Sequence, residues 1–152
     1  MNISSEEKMR ELGAAIGRAV SGGEVLELVG DIGAGKTTLT KGIAQALEID
    51  EPVQSPTFTI SRVYDSPSGL SLAHYDFYRL GNAGIMSEEI REVAASNSVV
   101  VVEWAGAVDD ALPSDRLVIK ITAISEEERL VEFYPGGKKS DELLRKIKEN
   151  MA

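Results

Sequence analysis

A glycine-rich segment carries the chemistry that the sequence shows most directly. Residues 30–38 read Gly-Asp-Ile-Gly-Ala-Gly-Lys-Thr-Thr, which matches the pattern G-x-x-x-x-G-K-[ST] of a phosphate-binding loop. The glycines allow tight turns that direct several backbone N–H groups at one polyphosphate. Lys36 adds a positive charge between the β- and γ-phosphates, and the Thr37 hydroxyl is suited to bind Mg²⁺. The segment therefore predicts binding of a nucleoside triphosphate.

Two carboxylates lie at the ends of predicted strands and are candidates for the rest of such a site. Glu103 and Trp104 follow the valine run at 99–102, and Asp76 lies in the sequence His-Tyr-Asp-Phe-Tyr-Arg at 74–79. A carboxylate at the carboxyl end of a parallel strand beside a phosphate loop can reach Mg²⁺ or position water. We expect this of Glu103. For Asp76 two interpretations stay open, a base or holder of metal-bound water and an ordinary helix cap.

Three other polar sites have both a structural and a functional interpretation. His74 is the only histidine, and a structural role is favoured for it over catalysis. Arg79 suits a phosphate contact and a surface ion pair equally well. The hydroxyl-rich segment Ser-Pro-Thr-Phe-Thr at 55–59 lies where many phosphate-loop NTPases sense the γ-phosphate, although by itself it is an ordinary loop.

The elements that must position these residues predict an α/β fold. Residues 25–29 form an apolar strand interrupted only by Glu27, and residues 37–47 have apolar side chains at helical spacing. In the order strand, loop, helix, the helix dipole also favours a bound phosphate. The valine run predicts the most buried strand. The other predicted elements are an N-terminal helix capped at 4–7 and ending at 22–23, strands at 57–64, 70–75, 116–121 and 130–133, a helix capped by Ser87 and ending near Ala95, and a C-terminal helix from Ser140 or Asp141.

Composition limits the class of protein. A chain of 152 residues predicts a single domain over residues 1–152, too small for a motor or transporter engine with an added substrate domain. Hydrophobic residues make up 43% and charged residues 27%, which is typical of a soluble globular protein. We expect a cytoplasmic protein without a membrane span or signal peptide. The absence of cysteine excludes disulfides, thiolate metal sites and thiol catalysis.

The net charge of −9 argues against direct binding of nucleic acid, which usually needs a basic face. Basic residues concentrate only at 138–139 and 145–148, among acidic neighbours, and this pattern is typical of a solvated helix face. If the protein serves nucleic-acid chemistry, we expect another protein to hold the nucleic acid.

The motifs taken together resemble one family. Their order, Gly-Asp-x-Gly-Ala-Gly-Lys-Thr-Thr, Ser-Pro-Thr-Phe-Thr, His-x-Asp-x-Tyr-Arg-Leu and Val-Glu-Trp, is similar to the bacterial tRNA threonylcarbamoyladenosine biosynthesis ATPase family, TsaE, also called YjeE. The similarity runs from residue 5 to about residue 133. It implies a P-loop NTPase-like three-layer sandwich with a mixed β-sheet, which binds and hydrolyses ATP with Mg²⁺. It also implies two partners, a Kae1-type transferase and its inactive paralogue, which carry the tRNA and modify its adenosine 37. The resemblance further implies that ATP binding and hydrolysis by this subunit reset the complex between cycles.

The resemblance also implies roles for particular residues. Lys36, Asp76 and Glu103 would form the catalytic set, and Thr37 with Glu103 would hold Mg²⁺. Asp76 would lie near the γ-phosphate, and Thr57 would belong to the nucleotide-sensing segment. Arg129 would lie near the adenine edge. The remaining phosphate-binding positions would be Asp31, Gly33, Ala34, Gly35 and Thr38.

One segment departs from the family pattern. Residues 81–86 read Gly-Asn-Ala-Gly-Ile-Met, where the family usually has a Glu-Leu pair and a Gly-Leu turn. The position of the following helix, and any partner contact that it makes, is therefore open.

Two other functions remain as alternatives. A small-molecule kinase would need a lid with clustered arginines, whereas the eight arginines of this chain are dispersed. A nucleotide-sensing module that hydrolyses nothing would not need the carboxylates Asp76 and Glu103. A GTPase is disfavoured because the chain has no Asn-Lys-x-Asp sequence for reading guanine.

Overall fold

The computed structural model describes residues 1–31, 33–54, 61–77, 84–105 and 111–152, and for residues 84–87 it describes the backbone only. Thr57, the rest of the segment 55–59, Arg79 and residues 81–83 of the departing segment lie outside these ranges. The described elements are, in chain order, β1 (Asn2–Ile3), α1 (Glu6–Ala19), β2 (Val25–Val29), α2 (Lys36–Ala46), β3 (Ser61–Asp65), β4 (Ser71–Asp76), α3 (Gly84–Ala94), β5 (Ser98–Glu103), β6 (Leu117–Ala123), β7 (Arg129–Pro135) and α4 (Lys138–Met151).

The strands form one mixed sheet in the order β1-β7-β6-β2-β5-β4-β3. The four central strands β6, β2, β5 and β4 are parallel, and the outer pairings are antiparallel. The mixed sheet that the sequence predicted is therefore confirmed. The carboxyl ends of β2, β5 and β4 meet at one edge, which is where ligands bind in open α/β sheets.

Helices cover both faces of the sheet and make three layers. Alternate valines of β5 enter different cores, Val99 and Val101 on one face and Val100 and Val102 on the other. The first core contains apolar residues of α1, α2 and α4, whereas the second contains Ile90 of α3. All four valines are fully buried, which confirms the prediction that this run is the most buried strand.

Glycines let α1 and α2 pack closely. A Cβ atom at Gly42 would clash with the backbone carbonyl of Arg10, and one at Gly13 would clash with the carbonyl of Leu39. Because the two helix backbones approach this closely, the start of α1 lies beside the start of α2 and the glycine-rich loop. No helix within the described ranges is both long enough and apolar enough to cross a membrane.

Two predicted helix starts were wrong. Ser87 lies inside α3, which already begins at Gly84. The C-terminal helix begins at Lys138 instead of Ser140 or Asp141. Its N-cap is Gly137, whose N–H donates to the Ser140 hydroxyl, and the distant Asp115 carboxylate accepts the Lys139 N–H at 2.9 Å and the Ser140 N–H at 3.0 Å. The hydrogen bond from the Ser140 hydroxyl holds the pKa of Asp115 below its usual value.

Candidate functional site

The glycine-rich loop joins β2 to α2 at the carboxyl edge of the sheet. Gly33 has a φ of 84° and Gly35 a φ of 114°, in the left-handed region that side chains disfavour. A Cβ atom at Gly33 would meet nothing within 4 Å, so the loop faces open space there. Gly35 is the N-cap of α2 and leaves the start of that helix without a side-chain cap. This end of α2 is therefore suited to accept an external anion.

Lys36 connects the loop with the next strand. It is the first residue of α2 and is buried, with 6% of its surface exposed. Its Nζ donates to the carbonyl of Gly30 at 2.7 Å and lies 3.6 Å from Oε1 of Glu103. The same ammonium lies 4.5 Å from the centroid of the Trp104 ring. The positive charge thus lies between the loop, a carboxylate and an aromatic face.

The carboxylates predicted from the strand ends do come together. Glu103 is the last residue of β5, and Asp76, the last residue of β4, is its partner in the register. Both are buried, and the backbone N–H of Phe77 donates to the Glu103 carbonyl at 3.1 Å. Oε2 of Glu103 lies 2.5 Å from Nε2 of His74. Two acidic side chains therefore lie at the sheet edge that also holds the glycine-rich loop.

Trp104 is the point at which the chain leaves the sheet. Its φ of 56° lies in the left-handed region, which is uncommon for a side chain of this size. The indole is about one third exposed, although it covers the Lys36 ammonium. Backbone strain of this kind is typical of functional sites, where the surroundings hold the unusual conformation.

A cavity of about 410 Å³ opens beside the loop and α2. Gly33, Ala34, Gly35 and Thr38 line one side of it, and the start of α1 contributes Met9. The other predicted loop residue with a hydroxyl, Thr37, lies in the first turn of α2 and is half-buried. The backbone carbonyl of Asp31 accepts the Ala34 N–H at 3.0 Å and closes the turn of the loop.

Arg129 fixes the backbone of the loop. Its Nε donates to the Ala34 carbonyl at 2.9 Å, and an Nη lies 3.5 Å from the Gly33 carbonyl. The other Nη donates to backbone carbonyls of the β6–β7 hairpin, including Ser125 at 2.7 Å. Arg129 also lines the cavity. A position of Arg129 near the adenine of a bound nucleotide remains a prediction. Its guanidinium links the hairpin to the loop, a contact that the sequence did not predict.

The donor set fits Mg²⁺ better than a metal held by a protein cage. The described residues contain no group of three or more His, Cys, Asp or Glu side chains that could hold a metal ion. Mg²⁺ commonly takes one or two protein oxygens and completes its octahedron with phosphates and water. The Thr37 hydroxyl and the Glu103 carboxylate are oxygen donors of the required kind.

Two site residues were missed or undervalued by sequence reasoning. His74 contacts Glu103 directly, and the available signal was its spacing two residues before Asp76, which places both on the same face of β4. Met9 lines the cavity from α1, and no local pattern pointed to it. Tyr75 lies between His74 and Asp76 in β4, on the opposite face of the strand, and belongs to the second core. Burial, with the nearby Glu89 carboxylate, raises its pKa to about 12.

Comparisons with known proteins agree with this geometry. The family model described as "Threonylcarbamoyl adenosine biosynthesis protein TsaE" matches residues 3–131. A Streptomyces coelicolor protein named tRNA threonylcarbamoyladenosine biosynthesis protein TsaE is 43% identical over 115 residues, 74% of this chain and 78% of that protein. A Bacillus subtilis protein of the same name is 40% identical over 127 residues, 82% of this chain and 78% of its own length. The crystal structure of Bacillus subtilis YdiB superposes with a TM-score of 0.83 at 31% identity, covering 100% of this chain and 95% of that one.

Proposed function

Because the chain belongs to the TsaE family, we propose that it binds and hydrolyses ATP in the cytoplasmic machinery that makes threonylcarbamoyladenosine in tRNA. One observation carries the proposal. A complete phosphate-binding loop presents Lys36 within 3.6 Å of Glu103, a buried carboxylate at the end of the neighbouring parallel strand. Loop, lysine and strand-end carboxylate are the parts that phosphate-loop NTPases use for phosphoryl transfer to water.

The loop would hold the triphosphate of ATP. Backbone N–H groups of residues 33–38 and the positive end of the α2 dipole favour the β- and γ-phosphates. Lys36 would exchange its hydrogen bond to the Gly30 carbonyl for one to phosphate oxygens, a charge-assisted bond that is stronger than the neutral one. Arg129 would keep the loop carbonyls of Gly33 and Ala34 turned away from the phosphates.

The carboxylates would support the chemical step. Thr37 and Glu103 would hold Mg²⁺, which supplies positive charge to the phosphate oxygens. Asp76, opposite Glu103 in the sheet, would orient the attacking water by accepting a hydrogen bond from it. The buried position of Glu103 strengthens its electrostatic effect, because little water screens it.

We propose that partner proteins complete the site. The loop faces open space at Gly33 among the described residues, and a reaction centre that water enters freely makes a weak hydrolase. The proposed partners are a Kae1-type threonylcarbamoyl transferase and its inactive paralogue, and they would hold the tRNA. The net charge of −9 fits a subunit that does not grip tRNA itself.

Hydrolysis by the isolated chain is therefore expected to be slow and to rise on the order of tenfold or more when the transferase pair is added. The measurement is steady-state phosphate release with and without the pair. Trp104, the only tryptophan, should change its fluorescence when ATP draws Lys36 away from the indole. A fast intrinsic rate that the pair leaves unchanged would contradict partner gating.

Product analysis separates the proposed ATPase from the alternatives. With γ-labelled ATP, a hydrolase transfers the label to inorganic phosphate, whereas a kinase transfers it to an acceptor molecule. A nucleotide-sensing module would bind ATP and release no labelled phosphate even with both partners present. Label in an acceptor would indicate a kinase, and ATP binding without turnover would indicate a nucleotide-sensing module. Either result would contradict the proposed ATPase function.

A further inference from the structure

We propose that His74 is a positioning residue, which fixes the Glu103 carboxylate so that its Oε1 faces Lys36 and the phosphate site. This inference rests on the proposed function, because it assigns a role to His74 within the same site. Neither the family name nor the relatives' names assign anything to this histidine.

The contact between the two side chains is short and fully buried. Nε2 of His74 lies 2.5 Å from Oε2 of Glu103, and the imidazole has no exposed surface. His74 pairs with Val101 in the register, two residues before Glu103, so both side chains occupy the face that α2 covers. The bond therefore runs diagonally between β4 and β5, inside the core, beneath the glycine-rich loop.

The hydrogen bond assigns the tautomer of the imidazole. Nδ1 is buried and has no hydrogen-bond partner within the part of the chain that the structure describes. A proton on Nδ1 would create a buried donor without an acceptor, which is costly, whereas a proton on Nε2 is donated to the carboxylate. His74 thus donates through Nε2, and this donation occupies Oε2 of Glu103. The other oxygen, Oε1, is the one that lies 3.6 Å from Lys36.

A packing role alone does not explain a histidine at this position. The strand around it is apolar, with Leu72 and Ala73 before it and Val101 opposite, and a histidine here leaves its Nδ1 buried without a hydrogen-bond partner among the described residues. Buried polar groups without partners persist where another contact requires them. The only side-chain hydrogen bond that His74 makes among the described residues goes to Glu103. Orientation of a metal or phosphate ligand by a hydrogen-bonded neighbour is a common device.

Two nearly isosteric substitutions isolate the donated hydrogen bond. His74→Gln places an amide N–H where Nε2 lies, whereas His74→Met has similar length and no donor. We expect His74→Met to lower kcat about tenfold or more and His74→Gln to lower it at most about threefold, with a loss of nucleotide affinity of only a few fold for His74→Met and less for His74→Gln. His74→Asn, whose amide corresponds to Nδ1, should behave like His74→Met. If His74→Met does not fold, His74→Asn takes its place in the comparison with His74→Gln.

A second readout does not depend on turnover. The increase in melting temperature caused by ADP should be larger with Mg²⁺ than with a chelator, and His74→Met should lose most of this Mg²⁺-dependent part while His74→Gln retains it. In a Glu103→Ala background the two variants should become equal, because the carboxylate that distinguishes them is gone.

The outcomes are distinguishable. Equal effects of His74→Gln and His74→Met, or a difference that persists without Glu103, would overturn the positioning role and leave the proposed function intact. A wild-type protein that neither binds nor hydrolyses ATP would overturn the proposed function itself. The expected order of kcat, wild type above Gln above Met, with coupling to Glu103, supports the inference.

Discussion

Lys36→Ala is expected to abolish useful ATP turnover, lowering kcat/KM by about a hundredfold to a thousandfold. The lysine is the one side chain of the loop that brings a full positive charge to the phosphates, and it contacts the loop backbone and Glu103. The fold should persist, although the melting temperature should fall, because Glu103 loses its positive neighbour in a buried place. Phosphate release and binding of a fluorescent ATP analogue measure the two losses.

The matched control for this substitution is Lys41→Ala. Lys41 belongs to the same helix but is exposed, so its removal should leave ATP affinity and turnover unchanged. Unchanged ATP hydrolysis in a folded Lys36→Ala protein would contradict the proposed phosphate site as a whole. Lys36→Met, which keeps part of the aliphatic stem, serves as the second variant if the alanine protein is unstable.

Glu103→Ala is expected to lower kcat much more than it lowers ATP affinity. Phosphate-loop contacts bind the ground state, whereas the carboxylate acts mainly on charge that develops in the transition state. We expect a loss in kcat on the order of a hundredfold or more, with a change in the dissociation constant of ATP of only a few fold. Single-turnover hydrolysis and equilibrium binding with and without Mg²⁺ measure the two effects.

The Glu103 result has informative alternatives. Equal losses in affinity and turnover would make the carboxylate a ground-state ligand of the Mg²⁺-nucleotide complex. No change in either quantity would reduce Glu103 to a structural partner of His74 and Lys36. Glu142→Ala removes an exposed carboxylate of α4 and should change neither quantity.

Local features made much of the fold predictable. The strand at 25–29, the loop and the helix after it are specified by neighbouring residues, and the structure has them within one residue of the prediction. The valine run likewise predicts its strand from local residues alone, and Glu103 lies at the carboxyl end of that strand, at the sheet edge. Each of these inferences depends on apolar periodicity or on backbone requirements of glycine, which act over a few residues.

Three of the missed features depend on residues far apart in the chain. Asp115, 25 residues before Ser140, accepts N–H groups of the first turn of α4, and local spacing gave no sign of this contact. Arg129 reaches the loop carbonyls only because the β6–β7 hairpin packs beside the loop. His74 meets Glu103 only because β4 pairs with β5 in the observed register. Sequence patterns indicate such residues as polar, but the sheet order decides what they contact.

In the proposed role, ATP hydrolysis by this chain lets the transferase pair modify one tRNA after another. An assay of threonylcarbamoyladenosine formation with tRNA in excess tests this role most directly. The quantity to measure is modified adenosine formed per transferase pair, with the wild-type chain, with Lys36→Ala, and without the chain. Many rounds of modification should occur with the wild type and about one round in the other two reactions. Many rounds with Lys36→Ala, or without the chain, would contradict the proposed role.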